Sequence, residues 1–496
     1  MVYSATGTQF AVDNTKEGDK RLNFVDFRPI RPNQQTGAAF ESLKKTTLNR
    51  LKKPFTMKNS PFAILLMLAA IAASSSHSLA QPEKLRAAIK SKAAAIDAKV
   101  ISWRRDFHEH PELSNREFRT SALIAKHLES LGIEVKTGIA KTGVVGILKG
   151  GLPGPVIGLR ADMDGLPVLE SNDLPYASKA KGEFNGQEVP VMHACGHDTH
   201  VAILMGVAEV LSSMKKDLRG TVKFVFQPAE EGAPAGEDGG AKLMVQEGVL
   251  ENPHVDVMFG LHISSGNEVG TISYRSGGAM AGASDLKITV KGKPSHGAQP
   301  WMSVDPILVA AQIVTSLQTI VSRNVNITEN AAVVTIGSIH GGNRSNIISE
   351  KVEMMGTVRT LSAADEKLVF QRINDIAKHT AAAAGATAEV ELPYTIHYPV
   401  TYNNPELVSR MSASLIKTAG ASNVIQTPAR TGSEDFSYFA EKVPGFFIFL
   451  GGMPKGTDPA KAGPHHTPQF IIDDSGLQLG VNALCNLVMD YSAGSK

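Results

Sequence analysis

From about residue 83 onward, apolar positions recur in two alternating rhythms. Arg86 to Ser102 and Ser114 to Leu131 carry apolar residues at helical spacing, and each predicts a helix. Val144 to Leu148 and Pro155 to Leu159 are short β-branched runs of the kind found in buried strands. Helical spacing returns after His197 and continues through Met214. Thr221 to Phe226, Val255 to Leu261 and Phe446 to Leu450 then predict further strands. Strands separated by helices imply an α/β fold around a largely parallel mixed sheet flanked by helices.

Residues 283–394 break that rhythm. Ser284 to Lys291, Ala332 to Ile339, Lys351 to Arg359 and Thr387 to Leu392 read as strands. Asp305 to Ser322 and Asp365 to Ala384 read as helices between them. The order is β-α-β-β-α-β, the ferredoxin-like arrangement. The α/β pattern resumes afterwards, so the small domain is expected to interrupt a larger one made of residues 83–282 and 395–496.

The first 80 residues have another character. Met57-Lys58-Asn59 opens a short positive region, and Phe62 to Ala73 is an apolar run too short to span a bilayer comfortably. Ser78-Leu79-Ala80 supplies small residues before Gln81-Pro82, which completes the pattern of a signal peptide over residues 57–80. Export is expected, in a bacterium to the periplasm, with no membrane association once the leader is removed. Residues 1–56 are polar and irregular, and translation is expected to start at Met57, the upstream stretch being a misassigned start. Eleven Lys and Arg against five Asp and Glu fall within residues 1–80, so the remaining body is mildly acidic. With no basic block in that body, nucleic acid is not an expected partner. Two cysteines, Cys195 and Cys485, leave no disulfide framework; Cys485 falls in a C-terminal apolar helix and reads as core.

Chemistry concentrates at the ends of the predicted strands. His193-Ala194-Cys195-Gly196-His197-Asp198-Thr199-His200 holds four thiol or imidazole groups within eight residues. Thiolate and imidazole together suit zinc, cobalt or a related transition ion. Gln227-Pro228-Ala229-Glu230-Glu231-Gly232 follows the strand Thr221 to Phe226, where open α/β sheets place their ligands. Adjacent carboxylates on an extended chain point in opposite directions, so one can bind metal while the other handles a proton. His262 stands at the end of the run Val255 to Leu261, and His465-His466-Thr467-Pro468 follows a Gly-rich loop. Asp162 and Asp164 end the strand before them and are candidates for orienting ligating histidines.

These pieces, in this order, resemble the metallopeptidase family of hippurate hydrolase, the plant auxin-conjugate hydrolases, aminoacylase and carboxypeptidase G. The resemblance runs from roughly residue 95 to the end and is closest to the hippurate and auxin-conjugate branch. Besides the His193 to His200 loop and the Pro-Ala-Glu-Glu-Gly segment, it includes Gly432-Ser433-Glu434-Asp435-Phe436 and Pro294-Ser295-His296. It implies two divalent metal ions, Mn, Zn or Co, held by Cys195, His197, Glu231, His262 and His466. It implies Glu230 as general base and the inserted domain as a lid that also makes a homodimer contact. It further implies that His296 stabilises the oxyanion, in related proteins sometimes from the partner subunit. Asn346 and Arg359 resemble lid groups that hold the substrate carboxylate. The implied reaction is hydrolysis of the amide bond of N-acyl or N-aroyl amino acids of hippurate type. A dipeptidase or carboxypeptidase of the same fold is the alternative. The long N-terminal extension is unusual for the family, and His200 has no role assigned by the resemblance.

Overall fold

The computed structural model describes residues 61–494, with side chains from residue 83. The expected upstream stretch 1–56 and the opening of the leader lie outside the described residues, as do the leader's side chains. The chain divides between Ser76 and His77, and the account below concerns the unit His77–Lys496. No helix among the described residues is long and apolar enough to cross a membrane.

Four parallel strands form the centre of an eight-stranded sheet. Arg219–Gln227, Leu152–Asp162, Val257–Glu268 and Gly445–Met453 lie side by side in that order. Gly143–Lys149 and Glu134–Ile139 extend one edge as antiparallel strands. Ile272–Tyr274 and Val424–Gln426 extend the other. The apolar runs seen in the sequence are the central strands because a parallel sheet is covered on both faces. Gly445–Met453 is buried at every position.

One face is covered by the helices His197–Ser213 and Leu477–Gly494, which pack on each other and on the central strands. The helix Pro61–Glu109 adds Ile89, Val100 and Phe107 to this core, and Cys485 lies inside it as expected. The opposite face carries a smaller cluster that includes Met244, Phe436, Phe439 and Phe447.

Two boundaries differ from the sequence reading in ways that matter. The second helix begins at Phe118 rather than Ser114, because Leu113 bridges to Gly165 and the Ser114 hydroxyl donates to Asp164. The strand before His262 does not stop there but runs on to Glu268. Its extension pairs with Gly445–Met453, with Phe449 opposite His262 and Gly451 opposite Ser264. Polar residues hide that extension from an apolar pattern. His262 is consequently held in mid-strand.

A second, antiparallel sheet interrupts the chain order of the first. Its main strands run Ala332–Gly341, Lys351–Thr360, Gly282–Lys291 and Thr387–Glu391 across the sheet. The helices Pro306–Thr319 and Ala363–Ala383 cover one face, which is the β-α-β-β-α-β arrangement the pattern predicted. Asp305 caps the first helix through the N–H groups of Ile307 and Leu308, and Ser362 caps the second through Asp365. Leu286, Ile288, Ile313, Leu317 and Ile373 belong to a core separate from those of the large sheet.

That separation is testable. Ile313→Ala should cost about 2–5 kcal/mol by leaving a cavity in the second core. Thr315→Ala, on the exposed side of the same helix, should stay within about 0.5 kcal/mol in urea unfolding.

Candidate metal centre

Loops at the carboxyl ends of the central strands, together with His262 in mid-strand, bring the predicted donors together. Cys195 Sγ lies 3.3 Å from His262 Nε2 and 3.2 Å from His466 Nε2. His466 Nε2 is 3.1 Å from Glu231 Oε1, and His197 Nε2 is 3.9 Å from the same oxygen. Two donor groups result, Cys195 with His197 and His262, and Cys195 with Glu231 and His466. The thiol belongs to both.

Local backbone geometry sets these positions. Gly196 has φ 93° at the entrance to the helix His197–Ser213, and a Cβ there would meet Ile263 Cγ2 at 2.4 Å. Only glycine suits both constraints. Ala229 at φ 53° and Gly232 at φ 104° bracket the two glutamates. His466 also adopts positive φ, 64°, with its N–H bonded to the Ala194 carbonyl 2.9 Å away. A non-glycine residue in this region needs surroundings that hold it there.

Asp164 joins the loops. Its Oδ1 accepts from the Glu230 N–H at 3.1 Å and faces His197 Nδ1 at 3.2 Å. Its Oδ2 accepts from Ser114 Oγ at 2.7 Å and from the Glu231 N–H at 3.0 Å. Burial works against this carboxylate, but the bonds from His197, Ser114 and Glu231 hold its pKa below the usual range. With Nδ1 of His197 donating to Asp164, the Nε2 lone pair faces the site. His262 is set in the same way, its Nδ1 donating to the Ile263 carbonyl and its Nε2 facing Cys195.

The neighbouring histidines are used otherwise. His200 pairs through Nδ1 with Asp162 and accepts the Ile263 N–H on Nε2 at 2.8 Å. It ties one strand end to the next and has no nitrogen left over, which answers the question its sequence position left open. His465 bonds the Cys195 carbonyl through Nδ1 at 3.1 Å and accepts the Ser265 N–H on Nε2 at 3.1 Å. Of the terminal pair, His466 is the one whose ring faces the donors.

The residues present fit a cation. His197 Nε2 is buried and has no hydrogen-bond partner. Burial opposes a charge on His197, yet Asp162, Asp164 and Glu231 raise its pKa to about 10. The potential that draws a proton to Nε2 draws any cation placed there. Burial and the nearby Glu231, Glu230 and Asp162 push the Cys195 thiol well above its ordinary pKa, the reverse of what a bound divalent ion would do. Thiolate, imidazole and carboxylate donors with an orienting outer layer are the make-up of transition-metal sites.

Glu230 lies beside this set with Oε2 3.8 Å from His197 Nε2. Burial, followed by the fields of Glu434, Glu231, Asp435 and Asp162, raises its pKa well above that of a free glutamate. A carboxylate so placed takes up a proton readily. The donors open into a cavity of about 420 Å³, walled also by Arg359, Tyr398, Arg430 and Phe449. Arg359 therefore joins the site from the second sheet. His296 and Asn346 do not: they sit together on an exposed tab where Ser295–His296 pairs with Ile347–Ile348, and neither lines the cavity. There His296 Nδ1 accepts from the Ala298 N–H at 3.0 Å, so Nε2 carries the ring proton.

Sequence reasoning missed Tyr398, Arg430 and Arg160. Tyr398 donates to the Glu230 carbonyl at 3.2 Å. Arg160, fully buried, binds Asp162, Glu434, Asp435 and Gln227 at 2.7–2.9 Å. Arg160 directly follows the apolar run Pro155 to Leu159, and a lone charge at the end of an apolar strand was the available signal.

Residues 158–490 match the family described as Peptidase family M20/M25/M40. Thermostable carboxypeptidase 2 of Saccharolobus solfataricus is 40% identical over 414 residues, covering 83% of this chain and 98% of the relative. IAA-amino acid hydrolase ILR1-like 2 of Arabidopsis thaliana is 36% identical over 403 residues, 80% of this chain and 87% of the relative. A crystal structure from Bacillus subtilis, described as a dinuclear metal binding peptidase of the M20 family, superposes with a TM-score of 0.67. Its identity is 35%, and 81% of this chain and 99% of that one are covered.

Two outcomes follow from the geometry. Cys195→Ala should strip metal from both donor groups, whereas His466→Ala should empty one, as read by elemental analysis after gel filtration. His200→Ala leaves a buried carboxylate oxygen and a buried N–H unpaired and should cost about 1–3 kcal/mol for each in chemical unfolding.

Proposed function

Because the chain belongs to the M20/M25/M40 peptidase family and is a hydrolase acting on amide bonds, we propose that it cleaves the amide of N-acyl or N-aroyl amino acids. The observation that carries this reading is the pairing of two donor groups through Cys195 with a proton-avid Glu230 beside them. Cys195, His197, Glu231, His262 and His466 would hold two divalent ions. Soft thiolate and imidazole donors favour zinc or cobalt over manganese. When bound, such ions supply Lewis acidity towards a carbonyl oxygen and lower the pKa of a water molecule.

The chain's own groups do the rest. Glu230 takes a proton from the water that attacks the amide carbon, and returns it to the amine nitrogen as the C–N bond breaks. Water is thereby divided between the new carboxylate and the freed amino group. Arg359 meets the substrate carboxylate from the second sheet, with a guanidinium fork suited to two oxygens. The second sheet acts as a lid, and Asn346 and His296 complete the site on closure or from a partner subunit in a homodimer. His296 then donates its Nε2 proton to the oxyanion. Export behind the leader at residues 57–80, in a bacterium to the periplasm, belongs to the same reading. The similarity to a carboxypeptidase supports peptide substrates as a second reading.

The test is to strip the chain with chelator, reload it with Zn²⁺, Co²⁺ or Mn²⁺, and assay hippurate, N-acetyl amino acids and dipeptides. Metal-dependent release of free amino acid from the acylated compounds is expected, and turnover of dipeptides alone would favour the peptidase reading. Glu230→Gln should keep its metal and lose at least about 100-fold in kcat. A loss of only a few-fold would remove Glu230 from the proton-transfer role.

A further inference from the structure

The cavity wall holds two guanidinium groups without an acid partner among the described residues. Arg359 donates from Nη1 to Thr357 Oγ1 at 2.7 Å and to the Val358 carbonyl at 3.2 Å. Arg430 uses Nη2 on Ser264 Oγ and Asn267 Oδ1, at 3.5 and 3.4 Å. Neither residue has a nitrogen that is both buried and unbonded. Both arginines line the same cavity.

The two charges are held by different contacts. Ala283 pairs with Arg359 on one side and with Tyr398 on the other, so these three side chains share one face of the second sheet. Tyr398 in turn bonds the Glu230 carbonyl, which places Arg359 on the Glu230 side. Arg430 instead lies with its Cζ 3.6 Å from the centroid of the Phe449 ring. Phe449 contacts His262, and His262 contacts His465. The backbone of Arg430 is fixed on both sides, its N–H on the Ala279 carbonyl and its carbonyl on the Ala281 N–H, each at 3.0 Å. A stacked, backbone-anchored guanidinium is pre-organised for an anion.

We propose that Arg430 binds a carboxylate on the acyl part of the substrate, so that the enzyme prefers dicarboxylic acyl groups, such as succinyl, over neutral ones. This rests on the amide-hydrolase reading. An amide whose amino-acid carboxylate meets Arg359 on the Glu230 side extends its acyl group across the donors towards Arg430 and Phe449. One guanidinium then serves each end.

The experiment compares N-succinyl, N-acetyl and N-benzoyl forms of alanine with the metal-loaded full chain and its Arg430→Gln and Arg430→Lys variants. The ratio of kcat/KM for succinyl over acetyl should be high, fall about 10–100-fold in Arg430→Gln, and recover partly in Arg430→Lys. Calorimetric binding of the succinyl and acetyl compounds to metal-loaded Glu230→Gln, with and without Arg430→Gln, should give the same order without turnover. A ratio near one in the unaltered enzyme overturns the proposal even if the variants fail to fold. So does a benzoyl preference that Arg430→Gln abolishes, since the arginine would then be stacking on a ring. Absence of turnover on all three amides, with succinyl binding still dependent on Arg430, would overturn the hydrolase reading and leave the anion site standing.

Discussion

The site depends on one buried cation. Arg160 sits buried near the carboxyl end of a central strand, and its guanidinium reaches the last residue of that strand, Asp162, the neighbouring strand end at Gln227, and the Glu434-Asp435 turn from the far end of the chain. Several acids crowd this volume, and without a central positive charge they would repel one another. Losing one member of such a buried set typically costs about 3–5 kcal/mol, because the remaining charges are left uncompensated. Arg160 thus keeps in register the strand ends from which the site loops spring. Asp162 passes that register to His200, and His200 to the Ile263 N–H beside His262.

A second layer of order lies in the histidines. Four of the imidazoles around the donors are told apart by where their nitrogens go. His197 and His262 spend Nδ1 on an oxygen and keep Nε2 for the site, whereas His200 and His465 have both nitrogens engaged. The donor set is therefore decided by hydrogen bonds to Asp164, the Ile263 carbonyl, Asp162 and the Ser265 N–H rather than by the presence of an imidazole.

Much of this was legible beforehand. The central strands declare themselves because burial on both faces demands unbroken apolar runs, and the second sheet because its helices and alternating strands keep separate periods. The donors were legible because Cys195, His197, Glu231 and His262 fall at or near predicted strand ends. What escaped had physical causes. Glu134–Ile139 is mostly exposed and Val424–Gln426 is three residues long, so neither leaves an apolar period. The strand through His262 continues on Ser264, Ser265 and Gly266, which look like loop until Gly451 pairs with Ser264 and Met453 with Glu268. Tyr398 and Arg430 are single residues brought to the cavity by pairings distant in sequence. His296 and Asn346 were recognisable by motif, but their place on an exposed tab is set by the short pairing of Ser295–His296 with Ile347–Ile348, outside the second sheet.

The division of the molecule into separately filled cores also bears on descent. The donor atoms and Glu230 hang from the large sheet, while Arg359 comes from a sheet whose interior shares no residue with it. A change of volume inside the small core is absorbed there, without repacking the strands that carry the donors. Lineages can accordingly remodel the recognition half while the bond-breaking half stays constant, and drift in one leaves little imprint on the other. Relatives with differently named activities and a common catalytic scaffold are what such a partition would leave behind.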